Sequence, residues 1–174
     1  MIGRMGLAMA ALTLTLLATP VLARESLGMF DGWGAFRDPR VPRCYAIAMA
    51  ARSGTAKSGD YQPYATVGHW PQKRTRNQIH FRLSRRIAAN APVRLTIGNQ
   101  TFALTGGDGD AWAADRRGDA AIVAAMRSAK SMRVSARAAT GSGFSDSYQL
   151  AGAATAIDAA ALGCARSAGV AARK

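Results

Sequence analysis

The run "VRLTIGNQTFALT", Val93 to Thr105, constrains the fold more than any other part of the chain. Val93, Leu95 and Ile97 alternate with Arg94 and Thr96; Gly98-Asn99 suits a tight turn with positive φ; Phe102 and Leu104 return with the same period. A period of two puts one set of side chains on one face, so the segment predicts an antiparallel hairpin with one buried side. Helical spacing is absent from Phe30 to about Thr105.

The flanking segments read the same way. "FDGWGAF" carries Phe30, Trp33 and Phe36 in an early strand, and "RCYAIAMA" alternates Tyr45, Ile47 and Met49 against Cys44, Ala46 and Ala48. "RDPRVPR" between them is a turn, because Pro39 and Pro42 cannot donate to a ladder. "ARSGTAKSGD" is small and polar and predicts a flexible loop. "PYATVGHW" and "NQIHFRLS" give two more strands, the second with Ile79, Phe81 and Leu83 inward and Gln78, His80 and Arg82 outward. After Gly118 the period changes: Asp119 suits an N-cap, Ile122, Val123 and Met126 fall at helical spacing, and Arg127 and Lys130 suit the negative end of the dipole. "SMRVSARA" and "GFSDSYQL" return to strand around a Gly-Ser-Gly turn, and the alanine-rich "AATAIDAAALGCA" closes as helix. The expected fold is mainly β, an antiparallel β-sandwich or partly closed barrel of roughly seven to nine short strands with two short helices.

The start, "MIGRMGLAMAALTLTLLATPVLA", has a basic residue, Arg4, before an apolar run shorter than the ~20 residues of a membrane span, and ends in small residues. It reads as a secretory signal peptide over residues 1–23, cleaved after Ala23, with no transmembrane segment left after cleavage. Residues 24–165 then form one domain and 166–174 a basic flexible tail. The two cysteines, Cys44 and Cys164, both lie in the exported part, where an oxidising compartment favours a disulfide; two buried free thiols are the alternative.

The formal charge is +13 at pH 7, and export removes only Arg4 from that balance. All ten acids lie outside Tyr61 to Gly107, an interval with seven bases: Lys73, Arg74, Arg76, Arg82, Arg85, Arg86 and Arg94. The first six sit in "WPQKRTRNQIHFRLSRR", where basic charge beside aromatic rings resembles a nucleic-acid reader. Export takes intracellular nucleic acid out of reach. The alternation leaves Lys73, Arg74 and Arg76 in a turn begun by Pro71 and Arg82 on a strand's outer face. Either this is a solvated face, or it binds anions such as lipopolysaccharide phosphates, acidic lipid head groups or acidic glycans.

Catalytic signatures are missing: no G-x-S-x-G elbow, H-E-x-x-H, Walker loop or Rossmann fingerprint occurs, and no cofactor is implied. His69 and His80 beside Trp or Phe read as packed histidines. Asp108, Asp110 and Asp115 gather in "GGDGDAWAAD", but calcium-loop patterns need an acid where Ala111 stands or a closing glutamate, so a solvated Asx turn is expected and no metal site.

The order of these motifs resembles the invasion-associated locus B proteins exported by alphaproteobacteria. The resemblance rests on "FDGWGAF", "RCYAIA", "RNQIHFRLS", "VRLTIGNQTFAL" and the closing "DAAIVAAMRSAKSMRVSARAATGSGFSDSYQLAGAATAIDAA". It implies a β-sandwich-like periplasmic, secreted or outer-membrane-associated protein, linked in some members to host-cell entry, and it implies no catalytic residues. Members commonly carry cysteines after the early Trp and in the middle of the chain, where Arg37, Asp38 and "GGDGDAW" stand here, so the family's disulfide scheme does not transfer. The expectation is a non-enzymatic exported protein that binds an anionic polymer or membrane surface through Lys73, Arg74, Arg76, Arg82, Arg85 and Arg86. The alternative is an interaction module docking on an envelope protein through Trp33, Trp70 or Trp112.

Overall fold

The alternation becomes ten strands in one antiparallel sheet. A computed structural model describes residues 23–51 and 60–171, with side chains to Ala165. Residues 1–22 of the expected signal peptide and 52–59 of the expected loop lie outside the described residues. In chain order the strands are β1 (Glu25–Phe30), β2 (Trp33–Asp38), β3 (Arg43–Met49), β4 (Tyr64–Trp70), β5 (Thr75–Arg82), β6 (Val93–Ile97), β7 (Gln100–Gly107), β8 (Asp110–Ala113), β9 (Ser131–Arg137) and β10 (Gly143–Gln149). The helices are α1 (Arg116–Met126) and α2 (Ala153–Ala171), so the second runs past 165.

Across the sheet the order is β1-β2-β3-β4-β5-β8-β7-β6-β9-β10, leaving β1 and β10 as edges. The sheet is not closed into a barrel; it curls until β10 faces the first half. Phe81 of β5 meets Tyr148 of β10 with ring centroids 5.8 Å apart. The Ala51 N–H donates to the Ser147 carbonyl at 2.7 Å. Between the layers lie Trp33, Val67, Ile79, Phe81, Leu83, Leu95, Val134 and Tyr148, all fully buried. Each large side chain of this kind stabilises the fold by about 1.5–3 kcal/mol through lost apolar exposure. Helix α2 packs on β1 to β4 and α1 on β5 and its neighbours.

The expected hairpin forms as β6–β7, with Val93 opposite Leu104 and Ile97 opposite Gln100 and with Gly98 at φ +54°. The "FDGWGAF" segment is two strands rather than one. β1 and β2 meet through Asp31-Gly32, with Phe30 paired to Trp33 and Asp31 at φ +50°. Trp33 is core: its Nε1–H donates to the Gln149 carbonyl at 2.8 Å, so it is no docking anchor. The acidic segment holds a third hairpin, β7–β8, whose turn is Asp108-Gly109 with Asp108 exposed, while Asp110 lies on β8. Asp115, not Asp119, caps α1, its Oδ1 accepting from the Gly118 N–H at 2.7 Å.

Candidate functional site

Pro71 opens a 3-10 turn, Pro71–Lys73, because its fixed φ and missing N–H suit a first helical position. Arg74 closes the turn in the left-handed region, at φ +50°, its N–H donating to the Pro71 carbonyl at 3.1 Å. β5 then pairs with β4 irregularly. Trp70 faces Thr75 and Gly68 faces Gln78, so His69 alone opposes both Arg76 and Asn77. This is a β-bulge, and Asn77 takes φ +58°, a conformation asparagine tolerates better than most residues. Arg76 therefore belongs to a bulged strand, not to the preceding turn, and it is exposed with Lys73 and Arg74.

Facing the bulge are α2 and the end of α1. Arg127, at the C-terminus of α1, holds Asp158 of α2 with two parallel hydrogen bonds, Nη2 to Oδ1 at 2.6 Å and Nη1 to Oδ2 at 3.1 Å. A disulfide joins Cys44 to Cys164, with Cα atoms 5.7 Å apart, and ties α2 to β3 at the residue paired with His69. Between these walls lies a cleft of about 630 Å³, lined by His69, Arg74, Arg76 and Asn77 on one side and by Arg127, Asp158 and Cys164 on the other.

The electrostatics of the cleft are lopsided. Arg127 and Asp158 neutralise one another, and that bond holds the Asp158 carboxyl below its ordinary range. Arg74 and Arg76 have no carboxylate within ion-pair distance among the described residues. His69 is 5 % exposed. Burial first, and then the Arg76 charge, push its imidazole below the ordinary value, against a hydrogen bond to the Ile157 backbone and the Asp158 charge. The ring is neutral at neutral pH, and its Nε2 has no hydrogen-bond partner among the described residues.

The remaining cations of the basic stretch lie elsewhere. Arg82 Nη1 donates to Asp110 Oδ2 at 2.5 Å and its guanidinium stacks 3.6 Å above the Tyr61 ring. Asp110 also meets His80 Nε2 at 2.9 Å, and His80 lies against Trp112 with centroids 5.3 Å apart. Arg86 pairs with Asp108 at 3.0 Å, and its N–H donates to Asp60. Arg85 is half-buried, near enough to Asp146 to favour that carboxylate's charge. Lys73 sits 5.2 Å above Trp70, whose ring also receives Arg43. The acids outside the basic interval therefore fold back onto it, and the sextet divides into Arg74 and Arg76 in the cleft wall, Lys73 over Trp70, and Arg82, Arg85 and Arg86 among carboxylates. Among the described residues no three metal-ligating side chains gather, and no helix is long and apolar enough to cross a membrane.

A family model, "Invasion associated locus B (IalB) protein", matches residues 42–161. The chain belongs to the IalB family. The match runs from the turn before β3 to α2, and so takes in the bulge, the Arg127–Asp158 pair and Cys44, while the β1–β2 hairpin and Cys164 lie beyond it. Among curated proteins and solved structures nothing matches the chain. IalB proteins are envelope-associated, and the formed disulfide accords with an oxidising, exported compartment.

Proposed function

We propose that this IalB family member is an exported, non-enzymatic binding protein that holds an anionic component of the envelope or host surface in the cleft between the β5 bulge and α2. One observation carries the reading: Arg74 and Arg76 stand in the wall of a concave site with no carboxylate within ion-pair distance of either among the described residues, while Arg82 and Arg86 are already paired. Two uncompensated guanidiniums beside a low-dielectric wall attract oxyanions far more than a flat, solvated charge does. Binding rather than catalysis is supported by the neighbouring groups. Asp158 is held by Arg127 through two hydrogen bonds, so no unpaired carboxylate stands ready as a base among the described lining residues.

The test is cosedimentation of the purified protein with envelope fractions over a salt series. Arg74→Glu with Arg76→Glu abolishes the salt-sensitive fraction, whereas Arg82→Glu with Arg86→Glu reduces it much less. Equal losses from the two pairs, or retention indifferent to salt, overturn the cleft as the anion site.

A second reading, docking on an envelope protein, is favoured by Trp112, which is 38 % exposed and braced by His80. Crosslinking in the native cell that yields one discrete adduct, lost in Trp112→Ala, supports it over the first.

A further inference from the structure

The hydrogen-bonding needs of the cleft narrow its ligand, on the reading that it binds anions at all. Arg74 and Arg76 offer only donors. His69 offers the opposite. Its bond to the Ile157 backbone raises the ring's basicity, as donation to a carbonyl does, and since Nε2 has no partner among the described residues we take Nδ1 as the donor. In the neutral ring Nε2 then carries a fully buried lone pair without a donor, on a residue that lines the cleft, and a ligand hydroxyl reaches it once the wall shifts slightly. Asp158, 56 % exposed beyond its pair with Arg127, has lone pairs left to accept hydroxyls as well.

A bare oxyanion satisfies the arginines and leaves Nε2 and Asp158 without donors. A membrane surface presents anions on a plane, which a concave site with its acceptor in the wall does not match. An acidic sugar carries both chemistries on one small ring, and the cleft, at about 630 Å³, falls in the usual range of small-molecule sites, ~300–1,000 Å³. We propose that the cleft binds an acidic saccharide: its carboxylate or phosphate is held by Arg74 and Arg76, and one of its hydroxyls donates to Nε2 of His69.

The experiment pairs each sugar acid with an anion bearing the same acid group but none of the sugar hydroxyls. Calorimetry on the disulfide-intact protein at about pH 7 compares glucuronate with cyclohexanecarboxylate and glucose 6-phosphate with methyl phosphate, whose acid group ionises alike, and a sedimentation arm uses phosphatidylglycerol vesicles. The hydroxyl-bearing member of each pair binds at least about tenfold tighter, the worth of roughly one buried hydrogen bond. In parallel, the His69 Nε2 nitrogen resonance moves on adding glucuronate and stays still with cyclohexanecarboxylate, a readout that does not depend on a His69 variant folding. Equal affinities within pairs, or an unmoved His69 resonance, overturn the saccharide while leaving anion binding intact. Retention on vesicles without binding of either sugar acid overturns it in favour of a membrane surface. Binding of no probe, or binding unchanged in Arg74→Glu with Arg76→Glu, removes the anion site itself and the saccharide with it.

Discussion

Asp119 of α1 reaches across to β5, where its Oδ1 accepts the Ile79 N–H at 2.8 Å in a buried setting. The bond replaces a missing strand. β8 pairs with His80 to Arg82 and goes no further along β5, so the Ile79 N–H has no ladder partner on that side. Asp146 does the same beyond the other end of β5, accepting from the Ser84 N–H at 2.8 Å. Two buried carboxylates thus take up backbone donors along and just beyond β5, where strand pairing stops.

Asp119→Ala leaves the Ile79 N–H unsatisfied and is expected to cost about 1–3 kcal/mol, whereas Asp119→Asn keeps the acceptor and holds stability within about 1 kcal/mol. Burial raises the Asp119 carboxyl above its ordinary 3.8. A raised carboxyl takes up its proton in the fold before the unfolded chain does, so the parent gains stability as pH falls through the folded value toward 3.8. Asp119→Asn lacks that gain. Urea titrations at neutral and mildly acidic pH test both the ranking and the sign.

Gly152, just before α2, has φ +80°, and an added Cβ would lie 2.0 Å from the Phe30 carbonyl oxygen. Both the backbone conformation and the β1–β2 turn oppose any side chain. Gly152→Ala is expected to cost ~3 kcal/mol or more or to prevent folding. At Gly163 the added carbon meets Leu27 Cδ1 at 2.5 Å, the tip of a flexible side chain. The gain in helix propensity, about 1 kcal/mol, offsets that contact, and Gly163→Ala stays near the parent in thermal unfolding.

The Cys44–Cys164 bridge spans 120 residues, and chain-entropy reasoning assigns a loop of that length up to ~4–5 kcal/mol. The exposed Arg127–Asp158 pair stabilises by only ~0–1 kcal/mol and does not replace it. Cys44→Ala with Cys164→Ala is therefore expected to lose several kcal/mol in denaturant titration and to weaken anion binding with it, because α2 forms one wall of the cleft. Reduction of the parent reproduces both losses, with intact mass reporting the bond.

Tyr148 is fully buried against Phe81, and its hydroxyl has no hydrogen-bond partner among the described residues. Burial, with the Asp146 charge behind it, pushes the phenol far above its ordinary range, so it stays neutral. Tyr148→Phe removes an unsatisfied polar group without changing the ring and is expected to leave stability level or raise it by about 1 kcal/mol. A loss greater than about 1 kcal/mol in thermal unfolding counts against this account.

What the sequence disclosed was local. The β6–β7 hairpin was plain because alternation and the Gly98-Asn99 turn agreed on one register, and Cys44 and Cys164 were an even pair in a chain read as exported. Two further hairpins carried an equally good signal in Asp31-Gly32 and Asp108-Gly109, since Asp-Gly favours positive φ. Aromatic spacing in the first and carboxylate spacing in the second drew attention away from it. Long-range charge was illegible in principle. Arg82 lies 28 residues from Asp110, and only the β5–β8 register brings them together, so a stretch without acids in sequence is half compensated in space. The bulge at Arg76-Asn77 was hidden as well, because an extra residue in one strand leaves the local pattern intact.

His69 makes the fold sensitive to mild acid. Burial and Arg76 depress its imidazole below the ordinary 6.5, while the Ile157 backbone and Asp158 act in the opposite sense without overcoming them. The unfolded chain therefore binds a proton at His69 before the fold does. This contribution is fully present above about pH 6.5 and is lost as pH falls through that value toward the folded one. Asp119 and Asp146, both raised by burial, act in the opposite direction closer to the carboxylate range. Stability measured by denaturant titration is expected to fall from about pH 7.5 to about pH 5.5, and His69→Gln, which stays neutral throughout, flattens that limb. A slope unchanged by the substitution assigns the acid sensitivity to another group. A bound sugar acid steepens the limb in the parent alone, because protonation of His69 converts the acceptor Nε2 into a donor.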